Sequence, residues 1–457
     1  MNQSFADVCV ALSTSNGPGT LAIVRASGSS TFKLISKFSN LASGKSFDEI
    51  PGGRVVLGKI FDQEELVDVV TFLIFKAPKS FTGEDVVEII CHNNKIIIQK
   101  IINLFLKHGA RLARPGEFSQ RAFLNQKLDI SQAEAIHEII AAQNEECLKR
   151  SMCQLEGSLS HFFEDLSLKI IHLISYIEAY FEFMEEESLD LNLDEKIKEE
   201  LVEFSQRLSE LKNSAELNDK IRSGLKICLV GEPNAGKSTI FNALVGKERS
   251  IVSDEAGTTR DTVELSLTKN NLLLTFVDTA GIRRNAGLIE SEGIKRSVEE
   301  IENSDLILLI ADSSKPLIQE DLINKILKHK EKTILVLNKS DLGSELEYLK
   351  ESFPEHTNTS SSHKKSYQDL STMIQNKIEI ILKKGSSPFL LTKRQILLTQ
   401  ELDKAFTEIY AAFESKVCFE ILAIKLKDML FIINEFTGKN LQEEVLSQIF
   451  SKFCIGK

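Results

Sequence analysis

Residues 231–238 read Gly-Glu-Pro-Asn-Ala-Gly-Lys-Ser, the spacing G-x-x-x-x-G-K-[ST], between an apolar run, Ile227 to Val230, and an amphipathic segment, Thr239 to Val245. This stretch limits the fold more than any other. A chain that leaves a buried strand through such a loop and enters a helix gathers backbone N–H groups and the positive helix end at one point, an arrangement that holds phosphate. Apolar runs of strand length, Leu272 to Val277, Leu306 to Ile310 and Thr333 to Leu337, alternate with helical windows downstream. That texture predicts a parallel sheet with helices on both faces.

Three further elements follow in order. Asp278-Thr279-Ala280-Gly281 closes the run ending at Val277, so Asp278 falls at a strand's C-terminal end beside a metal, and the Gly281 N–H can sense a γ-phosphate. Gly257-Thr258-Thr259-Arg260-Asp261 supplies Thr259 to complete a Mg²⁺ shell shared with the Ser238 hydroxyl, while Lys237 reaches the β- and γ-phosphates. Asn338-Lys339-Ser340-Asp341 follows the run Thr333 to Leu337. A carboxylate there accepts from both N1–H and the 2-amino group of guanine, an edge adenine lacks, so Asp341 selects GTP.

Hydrolysis needs a device that these motifs do not supply. Where glutamine-using GTPases orient water with the residue after the D-x-x-G glycine, this chain has Ile282. Asn234, inside the phosphate loop, offers a side-chain oxygen for a monovalent cation in place of an arginine finger. Glu290, nine residues beyond Gly281, is a candidate for orienting the water. On position alone the stronger reading is an exposed carboxylate at a helix start.

The rest of the chain has a different texture. Up to about Arg121, short β-branched runs (Leu21 to Val24, Val69 to Phe75, Val86 to Ile90) and one helical stretch, Ile96 to Lys107, predict a small α+β unit. From Leu128 to about Asn218, apolar residues three and four apart, such as Leu166, Ile170, Leu173, Ile174 and Ile177, predict long helices, with Glu185 to Glu187 on a solvated face or turn. Helical periodicity returns after the breaker Lys383-Lys384-Gly385-Ser386-Ser387-Pro388. The reading is a multidomain α+β and α/β chain whose helical domain is discontinuous, split by an inserted α/β domain that carries the phosphate loop. The expected boundaries are 1–124, 125–218, 219–385 and 386–457.

Composition narrows the function. With 55 Lys+Arg against 66 Asp+Glu, a net charge of −11, the chain is not expected to coat nucleic acid by bulk charge. Its 7 cysteines show no C-x-x-C and read as reduced thiols of a cytoplasmic protein. No export leader, membrane span or close histidine pair for a metal is expected.

Several stretches resemble one family closely, the tRNA modification GTPases MnmE, also called TrmE. They are Ser80-Phe81-Thr82-Gly83-Glu84-Asp85; Ala113-Arg114-Pro115-Gly116-Glu117-Phe118, running on through Arg121-Ala122-Phe123-Leu124-Asn125 to Gln132-Ala133-Glu134-Ala135-Ile136; the nucleotide motifs; and the terminal Phe453-Cys454-Ile455-Gly456-Lys457. The likeness runs from end to end in the same domain order. It implies an N-terminal folate-binding α+β domain that also forms the homodimer, a discontinuous helical domain and an inserted Ras-like P-loop G domain. It also implies work with a flavin-dependent partner, MnmG, in a heterotetramer that adds an aminomethyl or carboxymethylaminomethyl group at C5 of the wobble uridine of certain tRNAs. A reduced folate, 5-formyl- or methylene-tetrahydrofolate, carries the carbon unit.

By the resemblance, hydrolysis is stimulated by K⁺ held by Asn234, Ser253, Glu255 and Thr258, and Glu290 orients the water. The GTP-binding set becomes Asn234, Ala235, Gly236, Lys237, Ser238, Thr239, Ser253, Asp254, Glu255, Ala256, Gly257, Thr258, Thr259, Asp278, Thr279, Ala280, Gly281, Asn338, Lys339, Ser340 and Asp341. Folate falls to Arg25, Glu88, Lys127 and Lys457. Carboxylate suits the amidine-like pterin edge and cations suit the glutamyl carboxylates. Cys454 reads either as a nucleophile near the folate carbon or as a small buried residue at a chain end.

The chain also departs from the family. Cys91-His92-Asn93-Asn94 stands where Cys-His-Gly-Gly is usual, and asparagine is expected to keep the turn by tolerating left-handed backbone. The fifth nucleotide motif, normally Ser-Ala-Lys-like, is blurred to Ser360-Ser361-Ser362, which is left out of the binding set. The Lys393-Arg394-Gln395 segment lacks a histidine typical there. The alternative is a ribosome-assembly GTPase of the same superfamily, which predicts a C-terminal KH-like module with a G-x-x-G loop. A septin-like scaffold would need little hydrolysis.

Overall fold

Alternation of buried and exposed residues builds the first sheet. In Glu65–Phe75, Asp68, Val70, Phe72 and Ile74 point inward while Val69, Thr71 and Leu73 face the other way, the period of two that a pleated strand imposes. The computed structural model of the chain describes residues 7–15, 17–182, 193–245, 264–269, 272–278, 299–316, 320–383, 388–453 and 455–456. They form two units, one of residues 1–140, 154–201 and 401–457 and the other of residues 141–153 and 202–400.

The first unit holds strands β1 (Cys9–Leu12), β2 (Leu21–Ser27), β3 (Ser39–Leu41), β4 (Arg54–Asp62), β5 (Glu65–Phe75), β6 (Val86–His92) and β7 (Arg111–Leu112) in the order β3-β4-β5-β6-β2-β1-β7. Among the described residues of this sheet only the β1/β7 pairing is parallel. Helix Lys95–Lys107 covers one face, placing Ile98, Ile101, Ile102 and Phe105 with Val24, Phe72, Ile74, Val87 and Ile89. Asn94 caps that helix from extended backbone, φ −116°, its side chain accepting from Ile96 N at 2.9 Å and Ile97 N at 3.4 Å. Left-handed tolerance is therefore not what asparagine supplies here. Asn94 satisfies orphan helix N–H groups, worth about 1 kcal/mol, and Asn93 Nδ2 donates to Gly17 O at 2.9 Å and Gly19 O at 3.2 Å.

The helical part of this unit follows the predicted spacing. Leu166, Ile170, Leu173, Ile174 and Ile177 of helix Ser158–Glu182 are all buried. Phe163 stacks on Phe436 of helix Phe419–Thr437 with ring centroids 3.9 Å apart. Glu185 to Glu187 lie outside the described residues. Residues 388–453 carry helices and no strand, and no G-x-x-G occurs from 388 to the end, so the KH-like module of the alternative reading is not found there.

The second unit contains β8 (Leu225–Gly231), β9 (Glu264–Lys269), β10 (Leu272–Asp278), β11 (Leu306–Asp312), β12 (Thr333–Asn338) and β13 (His356–Thr359), ordered β13-β12-β11-β8-β10-β9. Among the described residues of this sheet only β9 and β10 pair antiparallel. All seven residues of β11 are buried, because helices lie on both faces. Ile240, Leu370, Ile374 and Ile378 pack on one side, Ile301, Ile323, Ile326 and Phe353 on the other. This is a Ras-like G domain. The segments entering and leaving it meet, with Asn218 Nδ2 donating to Leu391 O at 2.6 Å. No described helix is long and apolar enough to cross a membrane.

Candidate functional site

The C-terminal ends of β8, β11 and β12 lie side by side, where an open α/β sheet gathers its ligand-binding loops. The loop after β8 runs straight into helix Lys237–Val245. Asn234 takes left-handed backbone, φ 63°. Gly236, φ 99°, could not carry a side chain, since a Cβ would sit 2.1 Å from Asn338 Nδ2. Lys237 Nζ donates to Gly231 O and Glu232 O, both at 2.8 Å, so the ammonium is held at the mouth of the loop. Ser238 and Thr239 stand exposed in the first helical turn. An N-terminal helix turn, a lysine and a hydroxyl so arranged suit a phosphate with a hard cation beside it.

The loop after β12 is tied to the phosphate loop. Asn338 Nδ2 donates to Ala235 O at 2.8 Å, and its Oδ1 accepts from Thr359 Oγ1 at 3.0 Å. Lys339 Nζ donates to Asn234 O at 3.0 Å. Ser340 N reaches Thr359 O at 3.2 Å. Asp341 accepts from Ser362 Oγ at 2.6 Å, and Ser360 Oγ lies 2.6 Å from Ser362 Oγ. The Ser362 hydroxyl, then that of Ser360, holds the Asp341 carboxyl below the usual range. The serine loop thus meets the carboxylate predicted to read the base. Three serines give no motif that announces this, and only the fold brings residue 362 back to 341.

Asp278 ends β10 in register with Leu229 of β8, at the same sheet edge. Ser253, Asp254, Glu255, Ala256, Gly257, Thr258, Thr259, Thr279, Ala280, Gly281, Ile282 and Glu290 lie outside the described residues. Asn234, Ala235, Gly236, Lys237, Ser238, Thr239 and Asn338 to Asp341 are the predicted nucleotide residues that the structure brings together.

A second polar site lies in the first unit. Arg25 and Glu88 are register partners on β2 and β6, with Nη2 to Oε1 at 2.7 Å and Nε to Oε1 at 2.8 Å. Arg25 Nη1 also donates to Gly456 O at 3.3 Å, and its guanidinium lies 5.6 Å from the Phe81 ring centroid and 5.4 Å from that of Phe118. Lys127 is exposed, and its Cε lies 3.3 Å from where a Gly83 Cβ would stand, so it flanks the 80–85 turn. A paired cation and carboxylate between two aromatic rings suit a planar, hydrogen-bonding ligand that ends in carboxylates. Lys457 and Cys454 lie outside the described residues.

What holds this turn is not legible in the sequence. Arg121 has 0% exposure and reaches Glu117 at 2.8 Å, Glu84 at 2.9 Å and Asp7 at 3.0 Å. Glu117 also accepts from Arg111 and, at 2.8 Å, from Arg114 N. Burial raises the Glu117 pKa, but the hydrogen bonds from Arg111, Arg114 N–H and Arg121 outweigh it and bring it to about 2. Gly116 permits the tight approach, because a Cβ there would lie 2.5 Å from Phe450 O. Glu117 of the Arg-Pro-Gly-Glu-Phe stretch is thus the centre of a buried ionic clasp, closed by Arg111 and Arg121, that fixes the Thr82-Gly83-Glu84 turn beside Arg25.

The family described as "MnmE helical domain" matches residues 130–454, and "GTP-binding protein TrmE N-terminus" matches residues 8–127. Relatives are similar over their full length. The tRNA modification GTPase MnmE of Lachnoclostridium phytofermentans is 36% identical over 457 residues, covering 99% of each chain. That of Clostridioides difficile is 35% identical over 459 residues, covering 99% of each. That of Aquifex aeolicus is 37% identical over 452 residues, 98% of this chain and 99% of that one.

Proposed function

The chain belongs to the MnmE family of tRNA modification GTPases, and from that membership we propose that it is a potassium-stimulated GTPase acting on the wobble uridine of certain tRNAs. With a flavin-dependent partner of the MnmG kind it adds the carboxymethylaminomethyl or aminomethyl group at C5, taking the carbon from a tetrahydrofolate. The domains follow as 1–124, 125–218, 219–385 and 386–457. The observation that carries the reading is the assembled nucleotide site, with Lys339 Nζ on Asn234 O at 3.0 Å and Asn338 Nδ2 on Ala235 O at 2.8 Å.

In this account Asp341 accepts from N1–H and the 2-amino group of guanine, oriented by Ser362. Lys237 exchanges the carbonyls of Gly231 and Glu232 for β- and γ-phosphate oxygens. Ser238 and Thr259 hold Mg²⁺, and Asn234, Ser253, Glu255 and Thr258 hold K⁺. The two cations supply positive charge for the phosphates. Glu290 fixes the position and orientation of the attacking water. Arg25, Lys127 and Lys457 take the glutamyl carboxylates of the folate and Glu88 the pterin edge. The exposed sheet face bearing Val55, Leu57 and Val69, at 66%, 60% and 50% exposure, supports a homodimer through the first unit. The acidic chain contacts tRNA weakly, in a salt-sensitive way, and leaves most of its presentation to the partner in the cytoplasm.

The purified chain is expected to hydrolyse GTP at least about ten-fold faster in KCl than in NaCl at equal ionic strength, and Asn234→Ala is expected to remove most of that difference. Equal rates in the two salts would overturn the potassium mechanism.

A further inference from the structure

Asp312 ends β11, and no nucleotide motif includes it. It is 8% exposed. Its Oδ2 accepts from Lys339 Nζ at 2.6 Å, while Oδ1 accepts from Ser314 Oγ at 2.7 Å and Ser314 N at 3.2 Å. Lys339 and Asn234 are left-handed non-glycine residues, φ 58° and 63°, a conformation disfavoured for residues that carry a Cβ, which persists where neighbours over-determine it. The Lys339 ammonium joins the two by donating to Asn234 O. Asp312 holds the other side of that ammonium. Burial would raise its pKa, yet the hydrogen bonds from Lys339 and Ser314 keep it lowered, so the carboxylate is charged where it meets the lysine.

We propose that Asp312 is a positioning residue for nucleotide binding, which anchors Lys339 in its strained backbone and, through Lys339, fixes the left-handed turn at Asn234. Guanine recognition and the phosphate loop are thereby coupled through one chain of contacts: Ser314 to Asp312 to Lys339 to the Asn234 carbonyl. The proposal rests on the GTPase reading above and adds a residue outside its motifs. Asp312 touches neither base nor phosphate. Without it, Lys339 loses a charge-assisted hydrogen bond, and the carbonyl of Asn234 loses a fixed donor. The loop then samples turns in which the Asn234 side chain no longer faces the nucleotide.

The test uses the full chain with N-methylanthraniloyl-GDP as the binding probe and GTP hydrolysis in a KCl series. Asp312→Asn is expected to weaken GDP binding about 10-fold, to raise the KCl concentration for half-maximal hydrolysis several-fold, and to leave the preference for GTP over XTP unchanged, because Asp341 is intact. In a Lys339→Met background Asp312→Asn is expected to add less than about two-fold, since its effect runs through Lys339. Ser314→Ala is the milder second variant, expected to cost about two- to five-fold, and it decides the matter if Asp312→Asn does not fold. Wild-type affinity and an unchanged KCl midpoint, or a loss fully additive to Lys339→Met, would overturn the proposal. A wild-type chain that fails to bind the GDP probe would instead overturn the GTPase reading.

Discussion

Asp341→Asn is expected to convert the protein from GTP to XTP hydrolysis, with kcat/KM for GTP falling by about 10³–10⁴ and that for XTP rising by a comparable factor. The carboxylate has two acceptor oxygens and no donor, matched to the N1–H and 2-amino donors of guanine. Asparagine turns one acceptor into a donor, which faces the guanine amino group and is left unpaired, but meets the C2 carbonyl of xanthine. Ser362 Oγ, 2.6 Å from Asp341 Oδ2, stays in place as a polar neighbour in either case, so the swap does not require the loop to rebuild. Steady-state kinetics with the two nucleotides measure it. A variant that still prefers GTP would place guanine recognition elsewhere.

Arg121→Ala is expected to destabilise the first unit by about 3–5 kcal/mol, the range for removing one partner from a buried ionic cluster. The reason lies in what remains. Glu117, 1% exposed, and Glu84, 13% exposed, would keep their charges with their shared cation gone. Denaturant unfolding measures the loss, and Arg121→Lys, which restores the charge without the fork, is expected to recover only part of it. The same clasp sets an acid limit. The folded pKa of Glu117, about 2, lies below its ordinary 4.5, so its contribution is complete above the ordinary value and is lost as the pH falls from there towards 2. Unfolding midpoints that match the wild type for Arg121→Ala would contradict this account of the clasp around Glu117.

Much of the second unit was legible because its signals are local. The runs now seen as β8, β10, β11 and β12 are continuous apolar stretches bounded by polar loops, and a doubly covered parallel sheet needs that pattern. The amphipathic spacing from Leu166 to Ile177 was equally plain. Charges were the poor guide. Arg121 has one carboxylate partner a helical turn away, but the other two sit 37 and 114 residues away, and no local pattern encodes that closure. Asp312 and Ser362 were illegible for the same reason, each meeting its partner only where the sheet brings strand ends together. Asn94 shows the opposite failure. Its residue type suggested left-handed backbone, but position before a helix decided, and capping won.

The nucleosides of bulk tRNA test most directly whether this GTPase serves wobble uridine modification, as proposed. In cells lacking the protein, the account predicts loss of the C5 carboxymethylaminomethyl or aminomethyl group from those uridines, restored by the wild-type chain and not by Asp341→Asn. An unchanged nucleoside profile in the cells without it would contradict the account, whatever its GTPase activity.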